Sequence, residues 1–465
     1  MPIQDGLPAP ARYRAMVVII LGIALSVLDG TIVNLALPGI ARDLHASAAQ
    51  AVWVVNAYQV AIVALLLPCA TLGDLVGYRR VYLSGLALFT AASLGCALAD
   101  SLSLLAGARA IQGLGAAGIM SVNAALVRLI YPKSMLGRGI AINSLVVGTA
   151  SVAGPSMAAG ILSVASWHWL FAVNLPLGAA VLWMGFHALP QNTAARAPSA
   201  RLSWLDVLLN ALMFSLVFLG VDTLGTRVGR SASSLDLAGA AMLAAGVLVG
   251  VVYLRRQLKQ PVPLFPMDLL RIPVFALSMC TSVAAFAAQM LAYIALPFLL
   301  IESYDRSPLQ AGLLITAWPL SIVVVAPVVG RLIGRYPDGL LGGIGLGTMA
   351  TGLALLAALP AQPANADIVW RMALCGIGFG LFQSPNNHTI VTTAPHNRSG
   401  AASGMLGTAR LTGQTLGAAL LAIIFSAAGV HDGRGPVFAL ALAACFAAVA
   451  GSFSALRLRH ASAPD

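Results

Sequence analysis

The sequence predicts an all-α integral membrane protein with fourteen transmembrane helices, arranged as two six-helix bundles with an extra central helix pair. Three observations predict it: a charge-poor apolar composition, a series of apolar runs of bilayer length, and a repeat relating the two ends of the chain. Of 465 residues, 59% are hydrophobic and only 9% charged, too few charges to cover a water-soluble surface of that size. The net charge of +11 is spread singly or in pairs between apolar runs, which is a membrane-topology pattern and not a nucleic-acid patch.

About twenty apolar residues span a bilayer as helix. Runs of that kind lie at 16–37, 52–72, 81–99, 103–126, 139–163, 169–189, 205–224, 236–254, 274–299, 310–333, 340–359, 368–391, 401–427 and 436–456. The first follows Arg12 and Arg14, as a signal-peptide core would, yet it has no small-residue cleavage site and is long enough to remain as a span. An even count puts both termini on one side, and most Lys and Arg outside the spans fall there too. Both termini are therefore expected in the cytoplasm of a multi-pass inner-membrane protein. That orientation puts the glycosylation-type triplet Asn397-Arg398-Ser399 inside the cell. Cysteines 69, 96, 280, 375 and 445 all stand in apolar runs without metal-type spacing, and are expected to be buried thiols.

The chain repeats at a separation of about 260 residues. "GTASVAG" at 148–154 matches "GTARLTG" at 407–413, "RAIQGLGAAG" from Arg109 resembles "RMALCGIGFG" from Arg371 with a one-residue slip, and "LGDLVGYRR" at 72–80 falls opposite "LIGRY" at 332–336. The expected division is an N-terminal bundle at 1–190, a linker with spans seven and eight at 191–260, and a C-terminal bundle at 261–465. Parallel repeats of this kind build rocking secondary transporters whose substrate site lies between the halves near the midplane.

Several motifs then resemble one family. "LDGTIVNLALP" at 28–38, "LLAGARAIQGLGAA" at 104–117, "GTASVAGP" at 148–155, "SWHWLFAVNLPLG" at 166–178, "FQSPNN" at 382–387 and "GAASGMLGTARLTGQTLG" at 400–417 are similar to signatures of the major facilitator superfamily, specifically its fourteen-helix drug–proton antiporters. The loop after the second span keeps Asp74, Gly77, Arg79 and Arg80 but has Ala70, Leu75 and Tyr78 where the family usually has glycine and basic residues. Ala158 and Ala159 replace glycines that often follow the Gly-Pro of the fifth span. The resemblance implies that the loop is a gating latch and that Gly148, Gly154 and Pro155 form an antiporter hinge.

Asp29 is the residue the membrane reading makes conspicuous. An acid inside a span is costly and by default functional. Counting helical rise from the span ends puts Asp29 about 13 Å and Arg109 about 10 Å below the same surface, so the two are expected to face each other as a proton-coupling pair. Burial disfavours a carboxylate and a guanidinium favours it, so small changes in hydration or separation switch the form that is held. A static ion pair is the bland alternative. Arg410 is a second intramembrane charge with no evident acid partner, read either as an anchor for an anionic group or as structural glue with Gln383 or Gln414. The uncharged polar residues Asn34, Gln59, Gln112, Asn143, Gln289, Gln383, Asn386 and Asn387, together with Arg410, are the candidate cavity lining, although many such groups only bond helix to helix.

The expected function is proton-driven export of amphipathic small molecules, cationic or neutral. An exporter or symporter of one metabolite in the same fold is the alternative, and a non-transporting membrane receptor a more distant one. An ATP pump is excluded by the two lysines, Lys133 and Lys259, neither of which follows phosphate-loop spacing. A metalloenzyme fits poorly because the sole glutamate, Glu302, lies in no His-Glu-x-x-His motif. No enzyme activity, cofactor, metal or nucleic-acid partner is expected. The expected partners are substrate, protons and lipid; nothing in the sequence specifies an outer-membrane efflux partner.

Overall fold

A computed structural model describes residues 6–132, 135–191, 203–226, 237–258, 267–360, 362–394, 399–428 and 433–461. The described residues are almost entirely helical, because in hydrocarbon a backbone must satisfy its own hydrogen bonds. The first half comprises α1 (Ala9–Asp43), a short α2 (Ala48–Ala51) running into α3 (Trp53–Val76), α4 (Tyr78–Ala97), α5 (Leu102–Ile130), α6 (Leu136–Val164), and α7 (His168–Ala172) leading into α8 (Asn174–Ala188). Next come α9 (Trp204–Thr226), α10 (Leu237–Gln257) and a single turn, α11 (Met267–Leu270). The second half is α12 (Pro273–Phe298) with a π-helical end (Leu299–Ser303), α13 (Pro308–Leu332), α14 (Asp338–Ala357), α15 (Asn365–Thr393), α16 (Ser399–Ala428) and α17 (Arg434–Ala461).

Among the described residues, eleven helices are long and apolar enough to cross a membrane, against the fourteen expected. The expected spans in α6 and α9 contain shorter apolar stretches, Ala153–Val164 and Trp204–Gly220. The α15 helix carries Asp367, Arg371, Gln383, Asn386, Asn387 and His388, polar groups that lower its hydropathy.

The repeat is visible in how helices are started and crossed. Ser47 and Gln50 form a capping box at α2, and Ser307 and Gln310 form its counterpart at α13, each satisfying two otherwise orphaned backbone donors. In the first half α4 and α5 cross through Gly85 and Gly115; in the second, α14 and α15 cross through Gly345 and Gly378. Gly113 meets the Tyr58 carbonyl on α3 just as Gly376 meets the Trp318 carbonyl on α13. Backbones approach this closely where at least one of the facing residues lacks a Cβ.

That register corrects one sequence alignment. Arg109 stands six residues before Gly115, and Met372 stands six before Gly378, so the counterpart of Arg109 is the fully buried Met372, not Arg371. Arg371 pairs instead with Asp367 at 3.1 Å and donates to the Leu355 carbonyl. At this position, therefore, only the first half carries a buried charge.

The halves meet most continuously at the end away from the chain termini. There Ile32, Leu35, Ala158 and Ala159 join Leu291, Ala311 and Ile315 in one apolar core. Gly312 fits against Leu35, Ala159 and the Pro155 carbonyl, and Ser156 and Thr316 share a 2.7 Å hydrogen bond. Toward the termini the cores divide, one around Tyr82, Phe89 and Leu126 and another around Phe275, Met279 and Met405, with Leu411 of α16 joining the first. On the flank, α9 packs on both α3 and α16, with Asn210 donating to the Ala64 carbonyl at 2.6 Å and Asp206 pairing with Arg256 of α10.

The five cysteines are free, but only Cys96 and Cys375 are buried and Cys69 partly so; Cys280 and Cys445 are exposed, contrary to the expectation of burial. An apolar run does not tell a core face from a lipid face, since both accept a thiol.

The glycine crossing gives a direct test. A Cβ at Gly115 would lie 2.6 Å from the Gly85 carbonyl oxygen, whereas one at Gly107 on the same helix meets nothing within 4 Å. Gly115→Leu is expected to lower stability by about 1–3 kcal/mol or more, and Gly107→Ala to be neutral or stabilising, as read by thermal unfolding in detergent.

Candidate functional site

The α1 helix carries two kinds of surface at one level. Ser26, Val27, Gly30, Thr31 and Asn34 border a cavity between the halves, while Asp29 enters the interior of the first half, where it is 1% exposed. Its carboxylate accepts a bond from Arg109 Nη1 on Oδ2, and from Gln112 Nε2 at 3.0 Å and Asn174 Nδ2 at 2.8 Å on Oδ1. Arg109 also donates from Nε to the Val54 carbonyl at 3.0 Å and from Nη1 to Gln112 Oε1 at 2.5 Å. Gln112 Nε2 reaches on to Ser93 Oγ at 2.8 Å. Five helices, α1, α3, α4, α5 and α8, thus meet in one network around the carboxylate, with most of its lone pairs engaged, as a buried ion requires.

Tyr58 is the partition. Its ring lies 4.1 Å from the Arg109 guanidinium, a cation–π distance, and its hydroxyl donates to the Ser26 carbonyl at 3.0 Å. The same residue borders the cavity. The charged pair and the cavity are consequently adjacent without sharing a surface.

The cavity has a volume of about 590 Å³, within the range of small-molecule sites. Of the residues expected there, Asn34, Gln59, Asn143, Gln289, Gln383, Asn387 and Arg410 border it. Gln112 lies in the Asp29 cage instead, and Asn386 bonds Ser282 Oγ at 2.7 Å and accepts from the buried Arg457 at 2.8 Å. Phe286, Tyr293 and Phe379 supply aromatic walls. The guanidinium of Arg410 sits 5.7 Å from the Phe286 ring centre. Among the described residues, no Asp or Glu lines the cavity.

The hinge residues adjoin α1 and α13, and the loop residues stand at the end of α3 and the start of α4. Gly77, at the turn between α3 and α4, has φ of 104°, a conformation that favours glycine. Asp74 accepts a 2.6 Å bond from Tyr78, Arg79 donates to the Phe186 carbonyl at 2.5 Å, and Arg80 makes a long 3.5 Å contact with the Val76 carbonyl. Gly154 packs against Thr31 of α1, and Pro155 against Gly312 of α13. Gly148 belongs to α6, and its surroundings lie outside the described residues.

Sequence reasoning missed Asn174, Ser93 and Tyr58. Asn174 had a usable signal, a polar residue in the apolar stretch "VNLPLG"; Ser93 had none, since serine is unremarkable in a helix that bonds its hydroxyl to the preceding turn.

A helical membrane protein with two repeated halves and a cavity between them is built as a transporter. The Major Facilitator Superfamily model matches residues 19–418 and again 277–462, and the chain belongs to that family. It is 53% identical over 454 residues to the uncharacterized transporter YebQ of Escherichia coli K12, covering 98% of this chain and 97% of that one. It is 28% identical to the riboflavin transporter RibZ of Clostridioides difficile, covering 89% and 88% of the two chains. With the multidrug resistance protein Stp of Mycobacterium tuberculosis it shares 31% identity, over 88% of this chain and 74% of Stp.

The cage makes a thermodynamic prediction. Arg109→Met strands a buried acid and is expected to cost about 3–5 kcal/mol, while adding Asp29→Asn to that variant should recover a large part of the loss. A double-mutant cycle by thermal unfolding in detergent checks the coupling.

Proposed function

We propose that the chain is a proton-coupled exporter of amphipathic small molecules working by alternating access. The observation that carries this reading is the caged Asp29–Arg109 pair standing directly behind the wall of an aromatic and amide-lined cavity. In this reading the chain crosses the inner membrane fourteen times with both termini in the cytoplasm, in bundles of residues 1–190 and 261–465 joined by 191–260. The distal contact between α6 and α13 then closes the outer side, so the cavity belongs to an inward-facing state.

Substrate enters from the cytoplasmic side while Asp29 is ionised and held by Arg109. Protonation from the outer side in the opposite state removes the charge that Arg109, Gln112 and Asn174 hold, loosening α1 from α5 and α8. Because α1 carries both Asp29 and cavity-lining residues, that loosening reshapes the substrate site and favours release. Gly154 and Pro155 let α6 pivot on α1 and α13, and the Asp74, Gly77, Arg79 and Arg80 loop acts as the inner latch. Resemblance to Stp supports drug efflux, and resemblance to RibZ supports the alternative of a single metabolite; competition by one compound class only would favour the latter.

Proteoliposomes with an acidified lumen test the proposal. Wild type is expected to accumulate at least one of a panel of amphipathic dyes against its gradient. Asp29→Asn at matched protein levels should lose gradient-driven uptake at least tenfold while retaining dye binding. Normal pumping by Asp29→Asn would make the acid structural.

A further inference from the structure

Resting on the reading of the central cavity as the substrate site, we infer that the cavity selects flat aromatic molecules bearing an anionic group, with Arg410 as the anchor for that group. The electrostatics of the lining carry the inference. Among the described residues that line the cavity, Arg410 is the one charged side chain, and none of them is a carboxylate. The acid behind the Tyr58 wall, Asp29, is already paired with Arg109, whose guanidinium lies over the Tyr58 ring. A cationic ligand in this space would meet an uncompensated guanidinium in a medium of low dielectric, an interaction that is repulsive at any orientation.

The side chain is also free to act. The Nε of Arg410 is buried without a protein partner; its near neighbour is the face of Phe286, which positions the charge without consuming its N–H donors. A buried guanidinium donor without an acceptor is costly, and a carboxylate, sulfonate or phosphate oxygen would satisfy it with charge-assisted geometry. Around it, Phe286, Phe379 and Tyr293 offer ring faces and edges for a planar ligand. Asn34 Oδ1 and Gln59 Oε1, from the first half, likewise lack protein partners, and can accept hydrogen bonds from the remainder of the molecule. The arrangement therefore pairs one anion anchor with a stacking platform and amide acceptors from the first half.

Two xanthene dyes of similar shape and opposite charge isolate the effect: carboxyfluorescein and rhodamine 123. Their binding to the purified full-length protein in detergent is measured by fluorescence anisotropy, for wild type, Arg410→Gln and Arg410→Lys. The expected result is tighter binding of carboxyfluorescein by wild type, a loss of about ten- to a hundredfold in Arg410→Gln, partial retention in Arg410→Lys, and unchanged or improved binding of rhodamine 123. The ratio of the two affinities on one sample does not depend on the fraction folded, so a destabilised variant still gives an answer. Wild-type preference for rhodamine 123, an unchanged ratio in Arg410→Gln, or no carboxyfluorescein binding at millimolar concentration would each overturn the inference. The assay uses no gradient: carboxyfluorescein binding that depends on Arg410 in a protein that drives no flux would retain this inference and remove the export reading.

Discussion

The ion pair between Asp29 and Arg109 is the constraint around which the first half is organised. Placing two charges in a membrane interior costs several kcal/mol per ion unless each is paired and hydrogen-bonded. The structure meets that cost by drawing α3, α4, α5 and α8 around α1, so that Val54, Ser93, Gln112 and Asn174 complete the network. Gly113 and Gly115 let α3 and α4 approach α5 closely enough for the network to close. Small residues and polar residues on α5 are thus two parts of one requirement.

The second half keeps the glycine crossings but has no counterpart of the Asp29–Arg109 pair at the matching level. Met372 stands where Arg109 stands in the first half, and the neighbouring position corresponding to Gln112 is the buried Cys375. Its interior at that level is apolar, around Phe379, Phe382 and Trp318. A repeat that began as equivalent bundles has therefore become asymmetric, with one half organised about an ionisable group and the other supplying Arg410 and the aromatic wall of the cavity. Helix α1 connects these roles, because consecutive residues Asp29 and Gly30 serve the cage and the cavity.

Much of this was legible in the sequence. An acid in an apolar run marked Asp29, helical rise put Arg109 at its depth, and seven of the nine polar residues assigned to the cavity do border it. Hydropathy was weaker for α15, which carries several polar groups, and it could not tell the exposed Cys280 and Cys445 from core thiols. The two remaining polar residues, Gln112 and Asn386, lie on helices that also line the cavity, and only the rotation of each helix decides which surface a side chain serves. The mismatch of Arg371 with Arg109 has the same origin: a one-residue slip preserves the letters of a motif and turns a helix face by about 100°.

Proton-coupled export, as proposed, requires Asp29 to change its protonation within the cage. Infrared difference spectroscopy on the purified protein, between the acid and alkaline limits at which it remains folded, reads a buried carboxyl group directly through the carbonyl stretch of its protonated form. The account predicts a titrating band that is absent in Asp29→Asn and shifts when carboxyfluorescein is bound. A spectrum identical in wild type and Asp29→Asn across that range would contradict it, leaving the pair as a fixed strut of the first half.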